Sequence, residues 1–372
     1  MRILLLIRSL NTGGAERQLI VTAKGLKARG HDVTVALFYD EGSSIADLRA
    51  SHIEVVALGK MGRWDVIRPT TRLLNIIQRR KIESVYSFMP AANLVATLAK
   101  SLRRPFRLVW GVRSAKLNLK NYPFDKFLFY VSGSFAKIAD AIVVNSVLGL
   151  DELETSGWPR DRLFFVPNGI DTELFRPAAE ARTRMRAAWN IRPEHYLVGV
   201  VARIDPLKDH VSFLNAARTA LRQNPNLRFV CIGGGDDGLA ADLCQLSRAL
   251  KLEQYVKWCD NMTNVNEAYA ALDGFVSSSL AEGFSNSLAE AMATDLPVVV
   301  TDVGDSRRIV GDTGWVVPPG NPELLAQGIL EMANSESHLR PSPRKRIETL
   351  FSIQHMLDEI EEILKQNPRV PA

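Results

Sequence analysis

Cysteine is scarce in this chain. Cys231, Cys244 and Cys259 are its three, with no C-x-x-C pair among them. Three thiols cannot all pair, so neither a disulfide framework nor a thiolate zinc site fits, and a reducing, cytoplasmic setting is expected. Long apolar runs are missing too. The N-terminal run Ile3–Ile7 stops at Arg8, too short for a signal-peptide core or a membrane span. The six histidines are scattered, and no His, Asp and Glu group has metal-ligand spacing, so no metal and no cofactor are expected. The absence of a G-x-S-x-G elbow and of a P-loop removes two common enzyme classes. Low-complexity tracts and internal repeats are also absent.

What is present is a soluble globular composition, 46% hydrophobic and 23% charged, in a length that suits about two domains. The charge is uneven. Residues 1–175 carry 25 Lys and Arg against 16 Asp and Glu, and the remainder 21 against 25. A basic first half suits an anionic partner or an ordinary solvated surface.

Apolar strand-like runs alternate with helical periodicity. "RILLLI", "DVTVALF", "IEVVAL", "SVYSF", "FRLVWGV" and "AIVVNS" occupy the first half. The pattern pauses at "VPNGIDTELFRP" and resumes with "YLVGVVAR", "LRFVCIGGG", "VKWCD", "GFVSSS", "PVVVTD" and "GWVV". Such alternation predicts two doubly wound α/β domains with parallel sheets and a cleft between them. The expected divisions are residues 1–172, 173–352 and a C-terminal helical segment 353–372, whose Ile353, Met356, Leu357, Ile360 and Leu364 share one face. In such sheets ligands bind beyond the carboxyl ends of the strands.

Three segments carry candidate chemistry. Gly13 and Gly14, in "NTGGAERQL", let backbone approach a ligand at a helix start that suits a diphosphate; a plain strand-to-helix turn is the alternative. Arg203 and Lys208, in "VARIDPLKDH", follow a strand, where two cations would clamp a leaving phosphate, or else be solvated surface charges. The strongest segment is "LAEGFSNSLAEAMA". Glu282 and Glu290 stand eight apart around a helix start near Ser285 or Asn286. Carboxylates are acceptor-only groups suited to sugar hydroxyls, and the helix start suits phosphate. Glu290 sits among Leu288, Ala289, Ala291 and Met292, where an unpartnered carboxylate is costly. Gly233, Gly235 and Gly238 fit G-x-G-x-x-G, but in mid-domain rather than after a domain's first strand, so a nicotinamide site is a minor alternative.

"GGAER", "VPNGID", Arg203-x4-Lys208, Glu282-x7-Glu290 in "EGFSNSLAEAMA", "PVVVTDVG" and "TGWVVPPGNPELLAQGI" occur in that order. Together they resemble the retaining glycosyltransferases of family 4, which have the GT-B fold. The resemblance covers nearly the whole chain, most specifically residues 160–330. It implies that Gly13 and Gly14 lie against a donor diphosphate and that Arg203 and Lys208 bind its phosphates. It also implies that Glu290 holds the ribose hydroxyls, that Glu282 sits beside the transferred sugar, and that Gly283, Phe284, Ser285 and Asn286 contact sugar and phosphate. The C-terminal helix is implied to cross back onto the first domain. Where many relatives have a His after the strand "LVWGV", this chain has Arg113 and Ser114, which makes Arg113 a candidate on the acceptor or sugar side. Thr294-Asp295 replaces a usual Cys-Gly, and Asp305, Arg307 and Arg308 occupy a loop that is commonly glycine-rich.

The implied activity is transfer of a sugar, with retention, from a nucleotide-sugar donor to a hydroxyl acceptor. A UDP-sugar is the implied donor, and a saccharide or lipid-linked acceptor of envelope polysaccharide, lipopolysaccharide or glycolipid synthesis the implied acceptor. Rival readings are a nucleotide-sugar epimerase, a non-catalytic nucleotide-sugar-binding protein and a dehydrogenase. Finally, Lys100 to Lys137 interleaves Lys100, Arg103, Arg104, Arg107, Arg113, Lys116, Lys120, Lys126 and Lys137 with bulky residues, including Phe106, Trp110, Leu117, Leu119, Tyr122, Phe124, Phe127, Leu128, Phe129 and Tyr130. That pattern suits peripheral binding to an anionic membrane, or a core with solvated charges around it. Nucleic acid is not an expected partner, since no recognition motif accompanies the charges.

Overall fold

The apolar runs become strands buried on both faces, as parallel sheets covered by helices require. The computed structural model describes the chain except residues 12, 63, 103–105, 114–128, 130, 336–339 and 366–372. Chain contacts divide it into two units, Met1–Gly169 with Ile353–Ala372, and Ile170–Ser352.

The first unit holds β1 (Arg2–Ile7), β2 (Asp32–Leu37), β3 (Glu54–Ala57), β4 (Ser84–Phe88), β5 (Arg107–Val112), β6 (Ala141–Val144) and β7 (Leu163–Phe165). They form one parallel sheet in the order β3-β2-β1-β4-β5-β6-β7. The order reverses between β1 and β4, where Leu4 pairs with Thr34 on one side and Val85 on the other. Alternate residues feed two cores. Leu4, Leu6, Trp110 and Ile142 enter one; Ile3, Leu5, Ile7, Val109 and Val143 enter the other.

The second core is completed by the helix Ile353–Lys365, which buries Met356, Leu357, Ile360, Ile363 and Leu364. Gly25 makes room for it: a Cβ there would collide with the Leu357 side chain. Polar contacts fix the register. Glu361 takes Arg29 at 3.0 Å and His31 at 3.1 Å. The last carbonyls, orphans by helix geometry, are met by buried Arg107, which donates to Ile363 O at 2.5 Å, and by Ser84, which donates to Leu364 O at 3.0 Å.

The second unit contains β8 (Tyr196–Val201), β9 (Leu227–Ile232), β10 (Val256–Cys259), β11 (Gly274–Ser277), β12 (Val298–Thr301) and β13 (Trp315–Val317). Its parallel order is β10-β9-β8-β11-β12-β13, reversing between β8 and β11. Both units are thus Rossmann-like, as the alternation of runs predicts. In each, the reversal opens a crevice at the carboxyl ends of the strands.

The G-x-G-x-x-G match has a structural account. Gly233 (φ 141°) and Gly235 lie so close to the β8 loop that a Cβ at either would collide with the carbonyl of Ala202 or Ile204. Ile204 N donates to Gly234 O at 2.9 Å, and Asp236 N to Ile204 O at 3.3 Å. The glycines therefore hold the turn that carries Arg203. The following helix, Asp237–Ala249, is capped by the Asp236 carboxylate, which accepts from Leu239 N at 2.8 Å. An acidic cap occupies the place a dinucleotide phosphate would need.

Candidate functional site

In the second unit, β8 and β11 are the strands on either side of the reversal, and their loops meet. After β8 comes a single 3-10 turn, Pro206–Lys208, started by Asp205, whose carboxylate accepts from Leu207 N at 2.9 Å. Asp209, left-handed at φ 47°, caps the next helix by accepting from Ser212 N at 3.1 Å. Lys208 is therefore held between two caps. The loop after β11 binds its main chain: Leu280 N donates to Leu207 O at 2.8 Å and Ser278 Oγ to Lys208 O at 2.9 Å.

Between these loops the Lys208 ammonium pairs with Glu282 Oε1. Ser279 Oγ donates to the same oxygen at 2.8 Å. The two side chains are 22% and 11% exposed, so the pair is shielded from solvent screening yet reachable by a ligand. Arg203 lies on the same loop but is 74% exposed, 3.5 Å from Asp205. It is an exposed cation on the same loop as a shielded one.

Glu282 leads through Gly283 into the helix Asn286–Ala293. Gly304 (φ 54°) backs this bend, since a Cβ there would collide with the carbonyls of Glu282 and Gly283. Asp305 N donates to Gly283 O at 3.1 Å. The Phe284 ring is turned inward, against Phe351 at 5.6 Å between centroids and within the core, which leaves its main chain for a ligand. Ser285 is the N-cap and makes no side-chain cap bond. The helix start thus presents main-chain N–H groups that favour an anion.

One turn further along, Glu290 is buried in the apolar helix face. Its carboxylate accepts from the fully buried Tyr269 hydroxyl at 3.1 Å, and the same hydroxyl lies 3.2 Å from Ser287 O. Tyr269, Ser278 and Ser279 were not among the sequence candidates. Tyr269 lies in an unremarkable "AYAAL" stretch, and only the packing of its helix reveals it. His210, just behind Lys208, is also new. Burial and the Lys208 ammonium push its imidazole down to about 4, so it is neutral at pH 7.

The first unit presents two further candidates. Gly13 and Gly14 end the β1 loop, with Gly13 as N-cap of the helix Gly14–Ala28 in extended backbone. The Glu16 side chain folds back so that a Cβ at Gly13 would meet its carboxylate; a phosphate at this turn must displace it. Arg113 follows β5. It donates to Tyr86 Oη at 3.0 Å and to Asn168 Oδ1, and its guanidinium stands 5.2 Å from the centre of the Phe88 ring.

In the basic aromatic stretch, Arg103, Arg104, Lys116, Leu117, Leu119, Lys120, Tyr122, Phe124, Lys126, Phe127, Leu128 and Tyr130 lie outside the described residues. The described part does not form a membrane face. Phe106, Trp110 and Phe129 are core residues, Lys100 pairs with Asp140 at 2.8 Å, and Arg107 caps the C-terminal helix. A different segment exposes apolar bulk. Met61, Trp64 and Ile67 are 80%, 75% and 76% exposed, after the edge strand β3 and beside exposed Arg68 and Arg72. Among the described residues no helix is long and apolar enough to cross a membrane.

Comparison with known proteins places these features. Residues 12–174 match the family model described as Glycosyltransferase Family 4, and residues 195–335 the one described as Glycosyl transferases group 1. The chain is 33% identical over 198 residues to the putative glycosyltransferase EpsF of Bacillus subtilis, a match covering 53% of this chain and 51% of that protein. It is 25% identical over 310 residues to the capsular polysaccharide biosynthesis glycosyltransferase CapM of Staphylococcus aureus, covering 79% and 80%. The match thus spans about half the length of the first relative and four fifths of the second. Among solved structures, HepE of Anabaena in complex with UDP and glucose superposes with a TM-score of 0.85 at 23% identity, over 98% of this chain and 99% of that one. That likeness is one of fold, GT-B.

Proposed function

Because the chain belongs to the glycosyltransferases of family 4 and has their GT-B fold, we propose that it transfers a sugar, with retention, from a UDP-sugar to the hydroxyl of a saccharide or lipid-linked acceptor in polysaccharide or glycolipid synthesis. The observation that carries this reading is the Lys208–Glu282 pair bridging the two strand ends at the sheet reversal, with Glu290 one helix turn beyond an anion-ready N-terminus. The UDP in the HepE structure and the polysaccharide role in the name of CapM support the choice of donor and product.

The residues divide the work. Lys208 and Arg203 bind the donor phosphates, the first shielded and paired with Glu282, the second exposed on the same loop. Glu290, oriented by Tyr269, accepts the two ribose hydroxyls, which an acceptor-only carboxylate does well. Ser285 and Asn286 offer the helix start, and Gly13 and Gly14 their backbone N–H groups, to phosphate oxygens. Glu282, tied to Lys208, accepts from a hydroxyl of the transferred sugar.

As the bond from C1 to the diphosphate oxygen breaks, the sugar becomes oxocarbenium-like. The acceptor oxygen bonds to C1 from the same face, and its proton passes to a departing phosphate oxygen. The products are the glycoside and UDP. Fixed cations aimed at the leaving diphosphate stabilise the developing charge, and two of them make a divalent metal unnecessary. The protein associates with the membrane through Met61, Trp64 and Ile67, where an exposed tryptophan and flanking arginines suit an anionic lipid surface. The test is turnover of a panel of nucleotide sugars with and without acceptor. UDP-sugars should be consumed faster when an acceptor is present; release and return of the sugar as an epimer with no acceptor would replace transfer by epimerisation.

A further inference from the structure

We propose that Arg113 is an anion-recognition residue that reads a carboxylate or phosphate on a sugar-bearing substrate. The inference rests on the sugar-transfer reading for the identity of that substrate, and on the surroundings of one guanidinium for its charge.

Arg113 is the first residue beyond β5. Residues of three neighbouring strands and their ends surround it: Tyr86 and Phe88 come from β4, Asn145 follows β6 and Asn168 follows β7. This is the edge of a parallel sheet where ligands bind.

Every partner of this cation is neutral. Tyr86 Oη accepts at 3.0 Å, Asn168 Oδ1 accepts from the other terminal nitrogen, and Phe88 offers its ring face. Nε is buried and has no hydrogen-bond partner among the described residues. A guanidinium carries five N–H donors, so one on each terminal nitrogen also remains. Other shielded cations in the chain behave differently. Lys100 holds Asp140 at 2.8 Å, Arg186 holds Asp273 at 2.8 Å and Lys208 holds Glu282. Arginines with a structural role, such as Arg107 and Arg346, donate to main-chain carbonyls. Among the described residues Arg113 has neither a carboxylate nor a carbonyl as partner.

A half-buried charge without a counter-charge is expensive, and here the geometry is fixed at that expense. Asn168 Oδ1 also accepts from Asn145 Nδ2 at 3.3 Å, so the residue that orients the guanidinium is itself oriented. A preorganised fork with spare donors matches the paired oxygens of a carboxylate or phosphate. Two sources carry that chemistry: a carboxylate on the donor sugar, or a phosphate on the acceptor.

Equilibrium titrations of wild type, Arg113→Gln and Arg113→Lys separate them. One pair of probes is UDP-glucuronate against UDP-glucose; the other is glucose 6-phosphate against glucose. In one pair the wild type should bind the charged member at least about tenfold tighter, the scale of a charge-assisted bond. Arg113→Gln should abolish that ratio, and Arg113→Lys should keep part of it, having charge without the fork. Preference within the first pair assigns the anion to the donor, and within the second to the acceptor. No charge preference in either pair for the wild type overturns the proposal, as does a preference that survives in Arg113→Gln. UDP alone is titrated alongside. If it fails to bind, the sugar-transfer reading falls, while the sugar-phosphate pair still decides the role of Arg113.

Discussion

Replacing Lys208 by Met separates the catalytic from the structural part of its ion pair. The substitution removes the ammonium but keeps the length of the stem. Among the described residues Glu282 then retains only Ser279 Oγ at 2.8 Å. Because that carboxylate is 11% exposed, losing its cation should cost about 1–3 kcal/mol, the scale of a shielded polar group deprived of a partner. The turn itself is tied by main-chain contacts, Leu280 N to Leu207 O and Ser278 Oγ to Lys208 O, and these survive. A loss of that size leaves a domain of ordinary stability, roughly 5–15 kcal/mol, folded. Turnover should fall much further, by about 100- to 1000-fold, as for one lost donor to a developing charge. Adding Glu282→Gln removes the stranded charge. The double variant should regain most of the stability while staying slow, because only the structural term belongs to the pair. The assay is a urea melt of each variant beside UDP release at saturating donor. A folded Lys208→Met protein with near-normal turnover would refute the clamp.

Further outcomes follow from the same geometry. The His210 imidazole is held at about 4 by burial and by Lys208, against about 6.5 in an unfolded chain. Between those values the unfolded state binds the proton and the native state does not. The stability contributed by neutral His210 is thus full above pH 6.5 and lost as pH falls towards 4, by up to about 1.4 kcal/mol per pH unit. Urea midpoints between pH 6.5 and 5 should show this slope in the wild type and lack it in His210→Asn; equal slopes would mean another group titrates. On the proposed role of Arg203 and Lys208 as the source of positive charge, chelation should leave turnover unchanged; a loss reversed by a divalent ion would contradict that role. In liposome flotation the wild type should bind anionic vesicles at low salt and release them at high salt. Trp64→Ala should weaken that binding, and equal flotation would move the contact elsewhere.

The sheets were the most legible part of the sequence. Runs such as "RILLLI" and "YLVGVVAR" are apolar at consecutive positions because both faces of a parallel strand are covered, so pattern alone identifies them. The candidates in the second unit were legible as residue types at fixed spacing around a helix start. Their partners were not. Tyr269 reaches Glu290 from a different helix, and Ser279 reaches Glu282 through a loop fold that no local pattern encodes. Phe284 shows a second limit: the resemblance implies a ligand contact there, and only the structure shows that its ring belongs to the core, which leaves the main chain for that contact. Arg107 and Lys100 show what the order of charges in the basic stretch leaves out. Their side chains turn inward, to a helix end and to Asp140, and charge order along the chain does not record direction. The exposure of Met61, Trp64 and Ile67 has no sequence signal, because apolar residues in a loop and at the helix start that follows it look the same whether buried or not.

The proposed function requires the second unit to bind the nucleotide of a sugar donor through Glu290 at the helix start. Calorimetry with UDP on the wild type and on Glu290→Ala tests it most directly. UDP should bind the wild type, and the variant should bind it at least about 10- to 100-fold more weakly, the value of one charge-assisted hydrogen bond to a ribose hydroxyl, with turnover at saturating donor changed far less. Equal UDP affinity in the two folded proteins, or no UDP binding by the wild type, would contradict it.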